Sequence, residues 1–169
     1  MLDSLISSKT KIKILTRFFI NLANNSHLRG LANDFQVSTN SIRNELNNLF
    51  KAGYLIRKKN QNKIVYSANK HHPLFNVLQK IVKNHLGLED LINNVINNIG
   101  SVKIIILVGD YAKGIDSGKI EVIIIGDKID RNYLNEIVLK IEEKIKRKII
   151  FYLDEDIDIF PKLVIFKNQ

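Results

Sequence analysis

The chain has 169 residues, of which 45% are hydrophobic and 25% charged, and it contains no cysteine. This composition is that of a folded globular protein and excludes collagen-like and low-complexity chains. The lack of cysteine excludes disulfides, thiolate zinc sites and cysteine nucleophiles. No apolar run is long enough to span a membrane, and Met1 to Thr10 lack the apolar core of a signal peptide. We therefore expect a cytoplasmic protein with no membrane partner.

The basic residues are unevenly distributed along the chain, whose formal net charge is +9. Residues 1–99 hold 14 lysines and arginines against 5 acids, whereas residues 100–169 hold 12 of each. A compositional bias toward lysine would raise its content throughout the chain and would not remove acids from one part. The asymmetry therefore predicts a polyanionic partner for the first part.

Helical spacing of the apolar residues dominates the beginning of the chain. It predicts a helix over residues 8–23, then a short second helix with Ser26 as its N-cap. Ser38 is placed to cap a third helix, and Gly53 to end it. These three helices lie close together in the sequence, as in a small helical core.

A hairpin and two further helices are predicted next. Residues 54–59 have the alternating side-chain pattern of a strand, and residues 63–68 are a second predicted strand. The polar turn between them indicates a β-hairpin. Pro73 fits the first position of a helix over residues 73–86, and a second helix covers 89–99. The apolar stripes of both helices exceed what a small three-helix core needs. They indicate either packing against a neighbouring domain or a dimer interface.

The apolar pattern changes from helical spacing to unbroken β-branched runs in the interval 88–100, where we expect a domain boundary. Such runs are typical of buried strands. The predicted elements are strands at 103–108 and 120–125, a helix at 130–146, and strands at 148–153 and 163–166. They form a small mixed sheet with a helix.

The stretch Ser38–Leu55 reads as a capped helix with a Leu-x-x-Leu pair, then Ala-Gly and an apolar residue leading into the hairpin. The stretch 27–32, His-Leu-Arg-Gly-Leu-Ala, precedes it as the first helix of a turn motif. Over residues 8–69 the chain resembles the winged helix-turn-helix of bacterial ArsR- and MarR-like regulators. The resemblance implies a DNA-binding transcriptional regulator whose third helix is the recognition helix.

The outer face of the third helix and the hairpin carry hydrogen-bonding and basic side chains. Arginine suits the guanine edge and asparagine the adenine edge in the major groove, and hairpin lysines neutralise phosphates. A merely solvated surface would mix both charge signs, yet residues 43–68 contain one acid, Glu45. The candidate contacts to double-stranded DNA are Thr39, Asn40, Arg43, Asn44, Asn47, Arg57, Lys58, Lys59 and Lys63.

Metal sensing, which is common among ArsR-like proteins, has no support in the sequence. His71 and His72 are adjacent, and His85 lies on the next predicted helix, which is not the spacing of a ligand set. We expect solvated or capping histidines, no metal and no cofactor.

Residues 102–126 read as a strand, a glycine-bounded turn from Gly109 to Gly114, a loop and a second strand. This order resembles the minimal nucleotidyltransferase family. In that family a Gly-Ser turn cradles a triphosphate, and paired carboxylates hold the metal ions. Gly109, Ala112 and Gly114 stand at the positions of the family's glycines and small residue.

The match lacks the acids that nucleotidyl transfer requires. Asp110 stands where a serine contacts phosphate, and Lys119-Ile120-Glu121 stands at the Asp-x-Asp, so only Glu121 keeps a carboxylate. The third acid is missing from the next strand, and Asp154 and Asp156 follow that strand. Because two Mg²⁺ ions need several converging carboxylates, we expect that this domain is not an enzyme.

Together these patterns predict an α+β chain in three segments. These are a winged helix at 1–70, connecting or dimerisation helices at 71–99, and a nucleotidyltransferase-like domain at 100–169. The expected function is a dimeric, sequence-specific transcriptional regulator, with Lys113 and Lys119 available at most to an unidentified anionic ligand. Two alternatives remain: an active nucleotidyltransferase positioned by the winged helix, and a protein-interaction module whose basic face meets an acidic protein.

Overall fold

The computed structural model of the protein describes residues 6–154 and 158–168. Its architecture is α+β, as the sequence predicts, and the chain divides into two compact units between Val82 and Lys83. This division lies earlier in the chain than the interval 88–100 at which the apolar pattern changes. None of the helices in the described ranges is long and apolar enough to cross a membrane.

Three helices of the first unit bury their apolar stripes against one another. They are α1 (Lys9–Ile20), α2 (Leu28–Phe35) and α3 (Thr39–Lys51). The predicted cap of α3 is confirmed, because the Ser38 hydroxyl accepts a hydrogen bond from the Ser41 N–H. Between α2 and α3, Gln36 takes the left-handed conformation, with φ of 53°. This residue reverses the chain, so α3 starts a new direction within a few residues.

A three-stranded antiparallel sheet completes the first unit. Its strands are β1 (Ser26–His27), β2 (Leu55–Asn60) and β3 (Lys63–Ala68), in the order β1-β3-β2. The predicted hairpin is thereby confirmed. The prediction that Ser26 is the N-cap of α2 is wrong. Ser26 pairs with Tyr66, and its hydroxyl accepts a hydrogen bond from Arg17. His27 takes the N-cap position without a side-chain hydrogen bond to the helix.

Helix α4 (Phe75–Leu86) follows the hairpin, and the division between the units falls within it. The prediction that Pro73 is the first residue of this helix is wrong, because residues 72–75 form a separate turn before it. In that turn the Leu74 N–H donates to His72 Nδ1, and the Phe75 N–H donates to the His72 carbonyl. Capping of a turn by a histidine agrees with the expectation from the sequence.

The second unit is a four-stranded mixed sheet with helices. Its elements are α5 (Leu88–Asn98), β4 (Ser101–Val108), α6 (Gly109–Lys113), β5 (Lys119–Asp127), α7 (Arg131–Ile145), β6 (Lys148–Leu153) and β7 (Lys162–Lys167). The strand order is β6-β5-β4-β7, with β5 and β6 parallel and the other pairs antiparallel. All four predicted strands are present, and α6 is a short helix within the predicted turn.

Helix α5 belongs to the core of the second unit. It contacts α7 and β4, and Leu88, Leu91, Val95 and Ile99 are each at most 1% exposed. Its apolar stripe is therefore covered within the chain itself. At the start of α4, by contrast, Val77 and the preceding Leu74 are 52% and 47% exposed.

Candidate nucleic-acid interface

Helix α3 turns a polar face outward because its apolar stripe is fixed inward. Ile42, Leu46 and Leu49 are buried, and the stripe leaves the other side of the helix open. Of the predicted contact residues on this helix, Asn47 is half-buried and the others are exposed. The exposed ones are Thr39, Asn40, Arg43 and Asn44.

The one acid of α3 is turned away from this outer face. A carboxylate oxygen of Glu45 accepts a hydrogen bond from the Ser8 hydroxyl, and the other lies 3.5 Å from Lys11 Nζ. Both partners are at the start of α1. The negative charge of Glu45 is therefore offset by a neighbouring helix, and the outer face carries no competing carboxylate.

The hairpin presents its basic residues on two faces. In the β2–β3 register Arg57 lies opposite Tyr66 and Lys59 opposite Ile64. Because successive side chains of a strand point to opposite sides, Lys58 lies on the other face. Lys58, Lys59 and Lys63 are exposed. The guanidinium of Arg57 lies over the ring of Phe50, at 4.1 Å from its centroid.

A groove of about 580 Å³ lies between α3, the start of α2 and the hairpin. We call it the basic groove, because the described residues that line it include several cationic side chains and no acid. It is lined by His27, Leu28, Arg29, Arg43, Leu46, Asn47, Arg57, Asn62, Lys63, Ile64 and Tyr66. The structure thus brings Arg43, Asn47, Arg57 and Lys63 of the predicted contacts together around one groove.

The arginines of the basic groove differ from two other arginines in the chain. Arg17 is paired with Asp34, and Arg147 with Asp116. Within the part of the chain that the structure describes, Arg29, Arg43 and Arg57 have no carboxylate partner. Three guanidinium groups around one groove are therefore available to an external anion.

The groove also contains Arg29, which is not among the predicted contacts, although the apolar pattern of α2 indicates that Arg29 is exposed. Leu31 and Ala32 face inward from α2 and are buried, which leaves Arg29 exposed on the same short helix. His27 is a second unpredicted member, because its place in the groove depends on the strand pairing of β1 with β3. A two-residue strand leaves no periodic pattern in a sequence.

The residues predicted for a degenerate nucleotide site in the second unit fall into two groups. Lys119 Nζ lies 3.1 Å from a Glu121 carboxylate oxygen, and the Tyr152 hydroxyl lies 3.4 Å from the other oxygen. Gly109 takes φ of 66° and packs so closely that a Cβ there would lie 3.2 Å from Glu121. Asp110 and Lys113 form a separate, half-exposed pair on α6, at 4.0 Å.

The carboxylates of this region do not converge. Lys119 offsets the charge of Glu121, and Asp154 instead accepts a hydrogen bond from the Gly126 N–H. Asp156 lies outside the described residues. Among residues 6–154 and 158–168 no three His, Asp or Glu side chains are grouped so that they could hold a metal ion.

The second unit also contains a cluster of Tyr111, Asp116 and Arg147, which the sequence pattern does not predict and of which only Tyr111 is buried. The Tyr111 hydroxyl donates to Asp116, and Arg147 Nε lies 3.1 Å from both carboxylate oxygens. Burial raises the pKa of Tyr111, and the hydrogen bond to Asp116 adds to that effect. Burial alone would raise the pKa of Asp116, but hydrogen bonds from Arg147 and Tyr111 hold it below its ordinary value. The cluster joins the loop before β5 to the segment between α7 and β6.

Comparison with known proteins points to a solved structure of a regulator. No family model and no curated protein matches the chain. The crystal structure of the transcriptional regulator BldR from Sulfolobus solfataricus matches with a TM-score of 0.40 and 17% identity, over 58% of this chain and 68% of that one. The class of the first unit follows from its own elements: a helix, a helix-turn-helix with an exposed second helix, and a hairpin. This order is that of a winged helix-turn-helix.

Proposed function

We propose that this chain is a sequence-specific, double-stranded DNA-binding transcriptional regulator. The observation that carries the proposal is the basic groove, which lies between α2, α3 and the hairpin. Its arginines have no acidic partner among residues 6–154 and 158–168. Phosphates are the anions that such a surface neutralises. Arginine and asparagine on α3 supply the donors and acceptors that distinguish base edges.

The dimensions of α3 suit the major groove. An α-helix with its side chains is about 10–12 Å in diameter, so α3, a helix of 13 residues, fits a groove about 12 Å wide. Its exposed N-terminal residues are Thr39, Asn40 and Arg43. In helix-turn-helix proteins these are the positions that reach base edges. We assign Arg43 to a base edge and the hairpin lysines to phosphates.

A selection from random duplexes tests this assignment. We expect the full chain to enrich a preferred sequence. Arg43→Ala should weaken binding to that sequence by about 1–3 kcal/mol and binding to scrambled DNA far less. Lys80→Ala removes the same charge from an exposed position on α4 and should leave both affinities unchanged.

An unchanged ratio of specific to scrambled affinity in Arg43→Ala would show that α3 does not read bases. Binding to acidic proteins without binding to DNA would favour the interaction-module alternative instead.

For the second unit we propose a nucleotidyltransferase-like module without catalytic activity. The pairing of Lys119 with Glu121, 3.1 Å apart, supports this, because it offsets the carboxylate that a metal ion would need. Incubation with labelled nucleotides, Mg²⁺ or Mn²⁺ and candidate acceptors should give no metal-dependent product. A labelled product that Glu121→Ala abolishes would establish the active-enzyme alternative.

A further inference from the structure

We propose that Phe50 is a positioning residue for DNA binding, acting through Arg57. The inference rests on the proposed function, and it adds a residue that is not among those lining the basic groove. The observation is the 4.1 Å separation between the Arg57 guanidinium carbon and the Phe50 ring centroid. Phe50 is near the end of α3, whereas Arg57 is on β2, so the contact joins the recognition helix to the hairpin.

The geometry of a stacked guanidinium explains why the contact affects binding. An arginine on an aromatic face uses that face for the cation–π interaction and keeps the N–H donors in its plane free. Within the described residues no acceptor takes these donors of Arg57. The side chain is therefore ordered by Phe50 and still available to a phosphate or a base.

Ordering before binding reduces the entropy that binding costs. An exposed arginine loses rotamer freedom when it contacts an anion. Phe50 holds Arg57 on the groove side of the hairpin, the face that also carries Tyr66 and Ile64. Part of the entropy loss therefore occurs on folding, and the association with DNA strengthens by that amount.

A double-mutant cycle on the full chain tests the inference with the preferred duplex. Phe50→Leu keeps an apolar side chain but removes the ring, and it should weaken binding about two- to fivefold. The same change in an Arg57→Ala background should have no effect. Phe50→Tyr keeps the ring and should bind the duplex with the same affinity as the unmodified chain.

The salt dependence separates positioning from charge. Phe50→Leu should leave the slope of log K against log salt unchanged, because it removes no cation. Arg57→Ala should lower the slope by about 0.9 if this arginine neutralises a phosphate. Equal weakening by Phe50→Leu in both backgrounds would overturn the inference, because Phe50 would then act on the fold alone.

A second test uses Arg57→Lys, a substitution at an exposed position. Its result does not depend on whether the Phe50 variants fold. It keeps the charge but removes the planar fork, so we expect unchanged salt dependence and about two- to fivefold weaker binding. Affinity equal to that of the unmodified chain would overturn the inference. Failure of the unmodified chain to bind DNA is a different result, which contradicts the proposed function itself.

Discussion

Individual side chains of the proposed DNA-binding surface should make contacts of different kinds. Lys58 and Lys59 are exposed neighbours on β2 that point to opposite faces of the hairpin. Replacing both by alanine should weaken binding to all sequences alike. The salt slope should fall by roughly 0.9 for each phosphate that the double variant no longer neutralises. Titrations at several salt concentrations measure this, with Lys80→Ala as the control. Weaker binding to the preferred sequence alone would contradict the phosphate assignment.

Removal of the Asp116 carboxylate should destabilise the second unit. It accepts hydrogen bonds from Tyr111 and Arg147, so Asp116→Asn leaves a half-buried guanidinium without its counter-charge. We expect the free energy of unfolding at pH 7 to fall by about 1–3 kcal/mol. Urea unfolding of the full chain measures it, with Asp127→Asn, at a 64% exposed carboxylate, as the control.

The pH dependence of this destabilisation follows from the lowered pKa of Asp116. A carboxyl whose folded pKa is lowered stabilises the fold above its ordinary pKa, and this contribution disappears as the pH falls through the folded pKa. The difference between the unmodified chain and Asp116→Asn should therefore be full at neutral pH and shrink below about pH 4. A difference that stays constant down to about pH 3 would contradict the assigned role.

Among the secondary-structure elements, those with long periodic patterns are predictable from the sequence. The stripe of Ile42, Leu46 and Leu49 and the cap at Ser38 define α3, and the β-branched runs define β4 and β5. Elements fixed by tertiary pairing are not. Ser26 has the residue type of an N-cap, yet strand pairing with β3 determines its position. The turn at residues 72–75 likewise places the start of α4 after Pro73.

The candidate site follows the same rule. The outer face of α3 can be read from its inner stripe, whereas the contact of Arg57 with Phe50 joins two elements and leaves no pattern in the sequence. The pairing of Asp116 with Arg147 likewise cannot be predicted from the sequence, because 31 positions separate the two residues. The periodicity of the sequence shows which face of an element a residue lies on. Only the folded structure shows which faces of different elements contact each other.

Helix α3 should be measurably weakened by removal of its cap. The Ser38 hydroxyl accepts the Ser41 N–H, one of the donors that a helix start leaves without a partner. Ser38→Ala should cost about 0.5–2 kcal/mol of stability. Thermal or urea unfolding checks this. Ser7→Ala, at an exposed position outside the helices, serves as the control. Equal stability of the two variants would contradict the capping role.

For the molecule as a whole we propose a homodimer through the exposed apolar residues at the start of α4. Leu74 and Val77 are about half exposed, and an exposed apolar surface of this kind is a typical association surface. Light scattering should give about twice the chain mass of 19.4 kDa. Val77→Asp should shift the protein toward monomer, whereas Leu139→Asp, at an exposed leucine of α7, should not. A monomeric species both with and without DNA would remove the proposal.

The salt dependence of DNA binding by the unmodified chain tests the central claim most directly. Affinities for the preferred and a scrambled duplex are measured over a series of salt concentrations. We predict that both fall linearly on a logarithmic plot, with a slope of about −0.9 for each phosphate neutralised, and that the preferred duplex binds more tightly throughout. Binding that is absent, or that does not change with salt, would contradict the assignment of the basic groove to DNA.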